Sequence, residues 1–274
     1  MKILVTGSNG YIGKHLCKIL HDENEVHGLD LQKYSETDYV SRYYQVNIDE
    51  TFKLFTDFDC VIHLAALVRV GESVQQPDRY MKTNVEGTAN VVGCTNFKNF
   101  IFGSTGAAAT PTSPYANSKL QAEKIVREHC EENNIPYTMF RFYNVTGTDG
   151  FPATNPDGLF YKLNEAIQTG QFNIYGGDYD TADGTAVRDY VHVNEICHAI
   201  KEAIEKPSCE IENLGHGRGY TVKEIVETFK NVNKVNFDVH IKEPREGDPP
   251  KNVLDSVSPY MKEIYTLEDY LKIH

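Results

Sequence analysis

The sequence predicts an α/β fold, a doubly wound parallel sheet with a smaller C-terminal lobe, and three observations carry that prediction. Apolar, β-branched runs alternate with helically spaced segments through the first half of the chain. A glycine-rich turn joins the first run to the first helix. One later run, Cys60–Ala65, is apolar enough to be buried on both faces, as parallel strands are.

In chain order, Lys2–Thr6 reads as a short strand that ends at Gly7. Ile12, Leu16, Ile19 and Leu20 then fall at i, i+4, i+7 and i+8, one face of a helix. Strands are predicted over Glu25–Asp30 and Tyr43–Ile48, with Cys60–Ala65 the fourth. Pro77–Cys94 carries helical spacing, and Asn99–Ser104 is the fifth strand. Tyr115–Asn133 is a long helix with Leu120, Ala122, Ile125, Val126 and Cys130 toward the core, and Tyr137–Phe142 is the sixth strand. Beyond Asn144, glycine and proline crowd Gly147–Gly158, and Gly176–Gly184 is another loop. A helix over Asn194–Glu205 and a strand over Glu210–Leu214 return to the sheet, while helices near Thr221–Val232 and Leu267–Lys272 belong to the lobe. The expected division is residues 1–143 with 189–214 for the sheet domain, and 144–188 with 215–274 for the lobe. A ligand is expected in the crevice outside the carboxyl ends of the strands.

The bulk composition narrows the function classes. The 274 residues suffice for one large core with a smaller lobe. The longest apolar run, Cys60–Val70, is broken by His63 and Arg69 and is too short to span a bilayer. No apolar run follows Lys2 as an export signal requires, so a cytoplasmic protein without a membrane partner is expected. Cys17, Cys60, Cys94, Cys130, Cys197 and Cys209 include no C-x-x-C pair, which points to free thiols in a reducing compartment and to no metal centre. The net charge of -12 argues against a nucleic-acid partner. Asp178, Asp180 and Asp183 read as a solvated acidic turn, and His192 as a capping or packing residue.

Gly7-Ser8-Asn9-Gly10-Tyr11-Ile12-Gly13 is a G-x-x-G-x-x-G turn between strand and helix. Such a turn lets the backbone approach a pyrophosphate, and the helix N-terminus supplies amide donors. Asp30 ends the second strand roughly 20 residues on, where a carboxylate holds the adenosine ribose hydroxyls and repels a 2′-phosphate. The cofactor expected is therefore NAD, in a Rossmann-like domain, and Lys33 is read as a surface charge. Tyr115 and Lys119 form Y-x-x-x-K at the start of the long helix, one turn apart on one face. An ammonium beside the phenol favours the phenolate and makes it useful for proton transfer. The pair follows the fifth strand and Ser104-Thr105, whose hydroxyls are candidate substrate contacts.

These parts resemble the short-chain dehydrogenase superfamily, and longer phrases resemble the UDP-galactose 4-epimerase family within it. The phrases are Val70-Gly71-Glu72-Ser73-Val74-Gln75-Gln76-Pro77, Arg141-Phe142-Tyr143-Asn144, Tyr175-Gly176-Gly177-Asp178-Tyr179 through Asp183-Gly184-Thr185, Val187-Arg188-Asp189-Tyr190-Val191-His192 and Arg245-Glu246-Gly247-Asp248. The resemblance covers nearly the whole chain and implies an NAD-dependent isomerase that inverts C4 of a UDP-hexose through a 4-keto sugar. It implies Tyr115, Lys119 and Thr105 as catalytic, with Ser104 as alternate hydroxyl. For the cofactor it implies Gly7, Gly10, Tyr11, Ile12, Gly13, Asp30, Asn47, Ile48, Leu64, Ala65, Ala66, Asn84 and Phe142, together with Tyr115 and Lys119. For the UDP-sugar it implies Thr105, Tyr115, Asn144, Tyr175, Arg188, Arg245, Asp248 and Asn252. Arg188 and Arg245 would clamp the diphosphate by charge-assisted hydrogen bonds. A homodimer through the Pro77–Cys94 and Tyr115–Asn133 helices is implied in the same way.

The chain departs from the family in places. Thr105 to Tyr115 is only about ten residues, and Gly106-Ala107-Ala108-Ala109-Thr110-Pro111 stands where the family has V-Y-G. Asn47 replaces an aspartate near adenine, and an asparagine-leucine pair is missing near Gly158-Leu159-Phe160. Asn252 lies where residue size limits the sugar, and its small side chain would leave room for an N-acetyl group. An epimerase or dehydratase for another nucleotide sugar, and a catalytically silent NAD-binding sensor, stand as alternatives. Gly106-Ala107 lacks the acid that dehydratases carry after the Ser/Thr, and Tyr115 with Lys119 has no purpose in a pure sensor.

Overall fold

The strands of the main sheet are ordered Ile211–Leu214, Tyr137–Phe142, Phe100–Thr105, Cys60–His63, Lys2–Thr6, Glu25–Asp30, Arg42–Gln45 in the computed structural model, which describes residues 1–34, 39–245 and 249–273. The chain starts in the middle of the sheet, runs to one edge through Glu25–Asp30 and Arg42–Gln45, then returns beside its first strand and builds outward the other way. This reversal falls between Lys2–Thr6 and Cys60–His63, where open parallel sheets bind ligands. The register is parallel throughout these neighbours, with Leu4 opposite His27 and Val61, Ile62 opposite Ile101, and Phe102 opposite Met139. Leu4, Val61, Phe100, Phe102 and Met139 are fully buried, together with Val91 and Val126 from covering helices. That double-sided burial is why these strands read as continuous apolar runs.

Two expected strands end early for local reasons. Arg42–Gln45 stops because Asn47 turns the chain, its Oδ1 accepting Asp49 N–H at 3.0 Å and its carbonyl accepting Glu50 N–H at 3.2 Å. Cys60–His63 stops because Ala65 N–H leaves the ladder for the Thr6 hydroxyl, at 3.2 Å. The expected Pro77–Cys94 helix is divided into Pro77–Met81, a π-helical turn over Lys82–Glu86, and Gly87–Cys94, with a further helix over Val70–Gln75 before it. The π turn carries Asn84 inward, where it is buried. The Pro114–Glu132 helix begins cleanly: Pro114 needs no N–H partner, and the Ser113 hydroxyl accepts Ala116 N–H at 3.2 Å.

The contacts divide the chain into two compact units, Met1–Phe142 with Cys197–Glu212, and Tyr143–Ile196 with Asn213–His274. Asp189–Ile196, expected with the sheet domain, group with the second unit. The reason is Val187–His192, which pairs in parallel with Asn144–Thr146 and Lys251–Asn252 and antiparallel with Gly219–Thr221. The second unit also holds a parallel pair, Gln171–Tyr175 with Asp238–Lys242, and the helices Leu159–Thr169, Val222–Asn233 and Leu267–Leu271. Its own core contains Phe160, Leu163, Phe172, Tyr190, Phe229, Phe237 and Tyr270. Among the described residues no helix is long and apolar enough to cross a membrane, and no group of side chains could hold a metal ion.

Candidate active site

At the sheet reversal, Gly7 has φ +72 and a Cβ there would lie 2.8 Å from Ala65 N. A Cβ on Gly13 would lie 2.1 Å from Gly7 O, so the turn closes on the Tyr11–Leu20 helix only with glycine at both positions. Gly10 N–H donates to Gly7 O at 2.9 Å and completes the turn, leaving Tyr11 and Ile12 at the helix start. Ser8 is buried within this turn, and its hydroxyl has no hydrogen-bond partner among the described residues. Asp30 is tied to the turn, one oxygen accepting Asn9 N–H and the other Gln32 N–H, each at 3.1 Å. A close-approach glycine turn at a helix N-terminus and a fixed carboxylate are parts that a dinucleotide site uses.

The remaining cofactor candidates gather on this unit. Leu64 and Phe142 both reach the space above Gly103, where a Cβ would stand 2.7 Å from Leu64 Cδ2 and 3.0 Å from the Phe142 ring. Ala65 and Ala66 continue from Leu64 beside the Gly7 turn. Asn84 braces this segment, its Oδ1 accepting Leu67 N–H at 2.8 Å and its Nδ2 donating to Leu67 O and Ser118 Oγ, each at 2.9 Å. Ile48 packs on Gly87, and Asn90 Nδ2 donates to its carbonyl at 2.8 Å. Asn47 spends its amide oxygen on its own turn and keeps its NH₂ group as a donor.

Tyr115 and Lys119 lie at the start of the Pro114–Glu132 helix, 9% and 3% exposed. Burial raises the Tyr115 pKa, while its hydrogen bond with the Thr105 side chain opposes the rise. Burial brings Lys119 down to about 7, opposed by the charge of Glu123. The Lys119 ammonium lies 4.1 Å from the centre of the Phe102 ring and, among the described residues, has no hydrogen-bond or ion-pair partner. Ser104, the alternate hydroxyl, is buried and donates to Glu123 Oε1 at 2.6 Å. Of the two hydroxyls, Thr105 is therefore the one beside Tyr115.

Two residues of this neighbourhood escaped sequence reasoning. Glu123 repeats the Tyr115–Lys119 spacing one turn further and is paired with Arg141. That repeat, ending on a buried acid, was the available signal. His63 is enclosed between Thr6 Oγ1 at 2.7 Å and Thr88 Oγ1 at 3.0 Å. The Thr88 hydroxyl donates to Asn84 O, so it accepts from His63 Nε2–H, and Nδ1 then accepts from Thr6. Burial, then the nearby Lys119, lowers the His63 pKa to about 3, so the ring stays neutral.

Four of the substrate candidates of the second unit fall into two pairs. Arg188 stands opposite Asn252 across the parallel pairing, and it is nearly buried. Arg245 lies over the Tyr175 ring, 4.1 Å from its centre. Asn144 donates its amide to Asp189 O at 2.9 Å. Asp248, with Glu246 and Gly247, lies outside the described residues. His192 accepts Asn194 N–H at 3.1 Å at the next helix and stacks on Tyr265 at 4.0 Å. Asp183 accepts the Thr185 hydroxyl at 2.7 Å and the Thr221 hydroxyl at 2.5 Å.

A model of the NAD dependent epimerase/dehydratase family matches residues 3–215. The UDP-glucose 4-epimerase of Lactobacillus helveticus is 33% identical over 293 residues, spanning 93% of this chain and 89% of the relative. The solved UDP-glucose 4-epimerase of Thermotoga maritima, with UDP-glucose, is 29% identical with a TM-score of 0.82, covering 99% of this chain and 96% of its own. The UDP-Glc/GlcNAc 4-epimerase of Campylobacter jejuni is 27% identical with a TM-score of 0.81, covering 98% and 97%. Both the family match over residues 3–215 and the relatives matched along most of their length point the same way: the chain belongs to the NAD dependent epimerase/dehydratase family.

Proposed function

We propose that the chain is an NAD-dependent epimerase that inverts C4 of a UDP-hexose, with UDP-galactose and UDP-glucose as the interconverted pair. The observation that carries this reading is the buried pair Tyr115 and Lys119, with Thr105 hydrogen-bonded to Tyr115, on the same unit as the glycine turn. The Gly7–Gly13 turn, Asp30, Leu64–Ala66, Asn84 and Phe142 would hold NAD, which when bound accepts a hydride from C4 and returns it.

The Thr105 hydroxyl orients the C4 hydroxyl toward Tyr115, whose phenol oxygen takes the proton as C4 is oxidised and returns it on reduction. Burial favours the neutral phenol, so the base form depends on positive charge nearby, which the Lys119 ammonium one helical turn on would supply. The resulting 4-keto sugar turns about its diphosphate link, and its other face is reduced. The second unit would bind the UDP moiety, with Arg188 and Arg245 on the diphosphate and Asn144, Tyr175, Asp248 and Asn252 around it. Water exclusion and orientation are the protein's remaining contributions. A cytoplasmic homodimer, through the Pro77–Cys94 and Tyr115–Asn133 segments, completes the proposal; the six free cysteines support that compartment.

Purified protein incubated with UDP-galactose, with UDP-glucose followed by chromatography, tests the reading. Wild type is expected to convert it, and Tyr115→Phe to lower kcat by about 10² to 10⁴-fold while retaining NAD. Absence of conversion by NAD-loaded wild type would shift the reading to other nucleotide sugars, and after those to the silent sensor. The small side chain of Asn252 supports a wider pocket that also admits UDP-N-acetylhexosamines. Asn252→Tyr should then lose activity on UDP-N-acetylglucosamine selectively; equal activity in both proteins, or none in either, removes this extension.

A further inference from the structure

Glu123 follows Lys119 by one turn on the Pro114–Glu132 helix, the spacing at which a carboxylate and an ammonium normally pair. Its carboxylate is held from another direction. Oε1 accepts the Ser104 hydroxyl at 2.6 Å and Arg141 Nε–H at 2.9 Å, and Oε2 accepts Arg141 Nη2 at 2.7 Å. A two-point guanidinium contact sets the plane of the carboxylate as well as its charge balance. Glu123 is almost completely buried, so this geometry cannot relax toward solvent. Lys119 is left over the Phe102 ring with no ion-pair partner among the described residues.

We propose that Glu123, tied to Arg141 and Ser104, is a positioning residue of the epimerisation site. It anchors the strand end that carries Thr105, and it gives Lys119 a nearby negative charge without capturing the ammonium in a salt bridge. This rests on the reading of Tyr115 and Lys119 as the proton-transfer pair. The groups that bear on Lys119 are few. Its own helix presents Tyr115 and Glu123, the Phe100–Thr105 strand Ser104, and the Tyr137–Phe142 strand Arg141, which acts through Glu123. Neutral His63 lies on the Cys60–His63 strand. From the Pro77–Met81 helix comes Tyr80, edge-on to Tyr115, its hydroxyl engaged by Arg69 N–H and Glu72. Glu123 is the single negative group among them that acts directly on Lys119.

Burial already brings Lys119 down to about 7 against the pull of Glu123. Removing that charge, with Arg141 then unpaired beside it, pushes Lys119 further down. The ammonium is lost at a lower pH and Tyr115 loses its support. Glu123→Gln is nearly isosteric and keeps an acceptor for Ser104, whereas Glu123→Asp restores the charge. Two measurements on the NAD-loaded full chain decide the matter. One is kcat and KM for UDP-galactose across pH. The other is ionisation of Tyr115, read as phenolate difference absorbance against Tyr115→Phe in each background.

For Glu123→Gln we expect kcat to fall about tenfold or more with KM little changed, as befits loss of proton-transfer support. The basic limb should move to lower pH, Tyr115 should titrate higher, and Glu123→Asp should recover part of each. A Gln profile superimposable on wild type overturns the proposal. So does an equal loss at every pH that tracks NAD content and melting temperature. Should wild type lack epimerase activity, the reading of the site fails separately. The Tyr115 titration needs no turnover and still decides: an unchanged titration in Glu123→Gln overturns the positioning role, and an upward shift supports it.

Discussion

Buried charge is handled in opposite ways by the Glu195–Asp189 cluster of the second unit and the Tyr115–Lys119 pair of the first. In the second, Glu195 is buried and saturated, accepting His192 N–H, Ile264 N–H, Tyr265 N–H, the Tyr270 hydroxyl and His216 Nε2. Asp189, equally buried, accepts the N–H groups of His216, Gly217 and Leu254. In the first unit, Tyr115 has the Thr105 hydroxyl and Lys119 has an aromatic face. Burial alone would raise the Glu195 pKa, but its donors lower it on balance, whereas burial wins at both Tyr115 and Lys119. A saturated charge holds a fold together, and an under-partnered one costs stability and remains available for chemistry.

Substitution in each cluster can break this contrast. The largest effect is expected at Lys119→Met, which should reduce kcat by about 10²-fold or more. The same change should raise stability by on the order of a few kcal/mol, because it removes a buried, under-partnered charge. The sign follows from a folded pKa near 7 against an ordinary 10.5. The burden is full below pH 7 and shrinks as pH rises toward 10.5, so the gain from methionine should shrink likewise. Urea unfolding at several pH values measures it, and a loss of stability in Lys119→Met would contradict the contrast.

The opposite pattern is expected at Glu195→Gln, with about 3–5 kcal/mol lost on unfolding because the His216 ring loses the carboxylate that it contacts. The smallest effect is its pH dependence. Burial alone would lower the His216 pKa, but Glu195, with Asp189 and Glu263, raises it on balance above 6.5. The stability from this pair is complete below pH 6.5 and is lost as pH rises through the raised value. The difference between wild type and Glu195→Gln should therefore narrow above that range, and a difference that stays constant would remove His216 as the cause.

Legibility from sequence followed the same physical division. Lys2–Thr6, Glu25–Asp30 and Tyr137–Phe142 have the expected bounds, each with four consecutive buried residues, as strands covered on both faces have. The Leu159–Thr169 helix was missed: it starts at Gly158 with no side-chain cap and follows a loop crowded with glycine and proline. Gln171–Tyr175 is short and alternating, and its partner Asp238–Lys242 lies far along the chain, so neither segment announces the other. Within the site, Tyr115 and Lys119 were visible as one helical turn, and Gly7–Gly13 as one phrase. Glu123 was not, because its meaning depends on Arg141 and Ser104, brought beside it by two different strands. Local spacing reveals groups that share an element, and it is silent about which element will neutralise them.

The division of the chain into units also bears on how the molecule is made. The chain passes between its two units three times, at residues 142, 196 and 212. A ribosome that has released only the first 142 residues has released an incomplete body. Still to come are Cys197–Glu212, whose helix accepts the Asn99 amide at Ala203 O and Ile204 O, and the edge strand Ile211–Leu214. The second body waits longer, since its core includes Tyr270 and Leu271. Domains of many proteins fold in succession as they emerge. Here neither body can close before the chain has crossed between them: the first keeps an unpaired sheet edge until Ile211–Leu214 emerges, and the second keeps apolar surface until Tyr270 and Leu271 do.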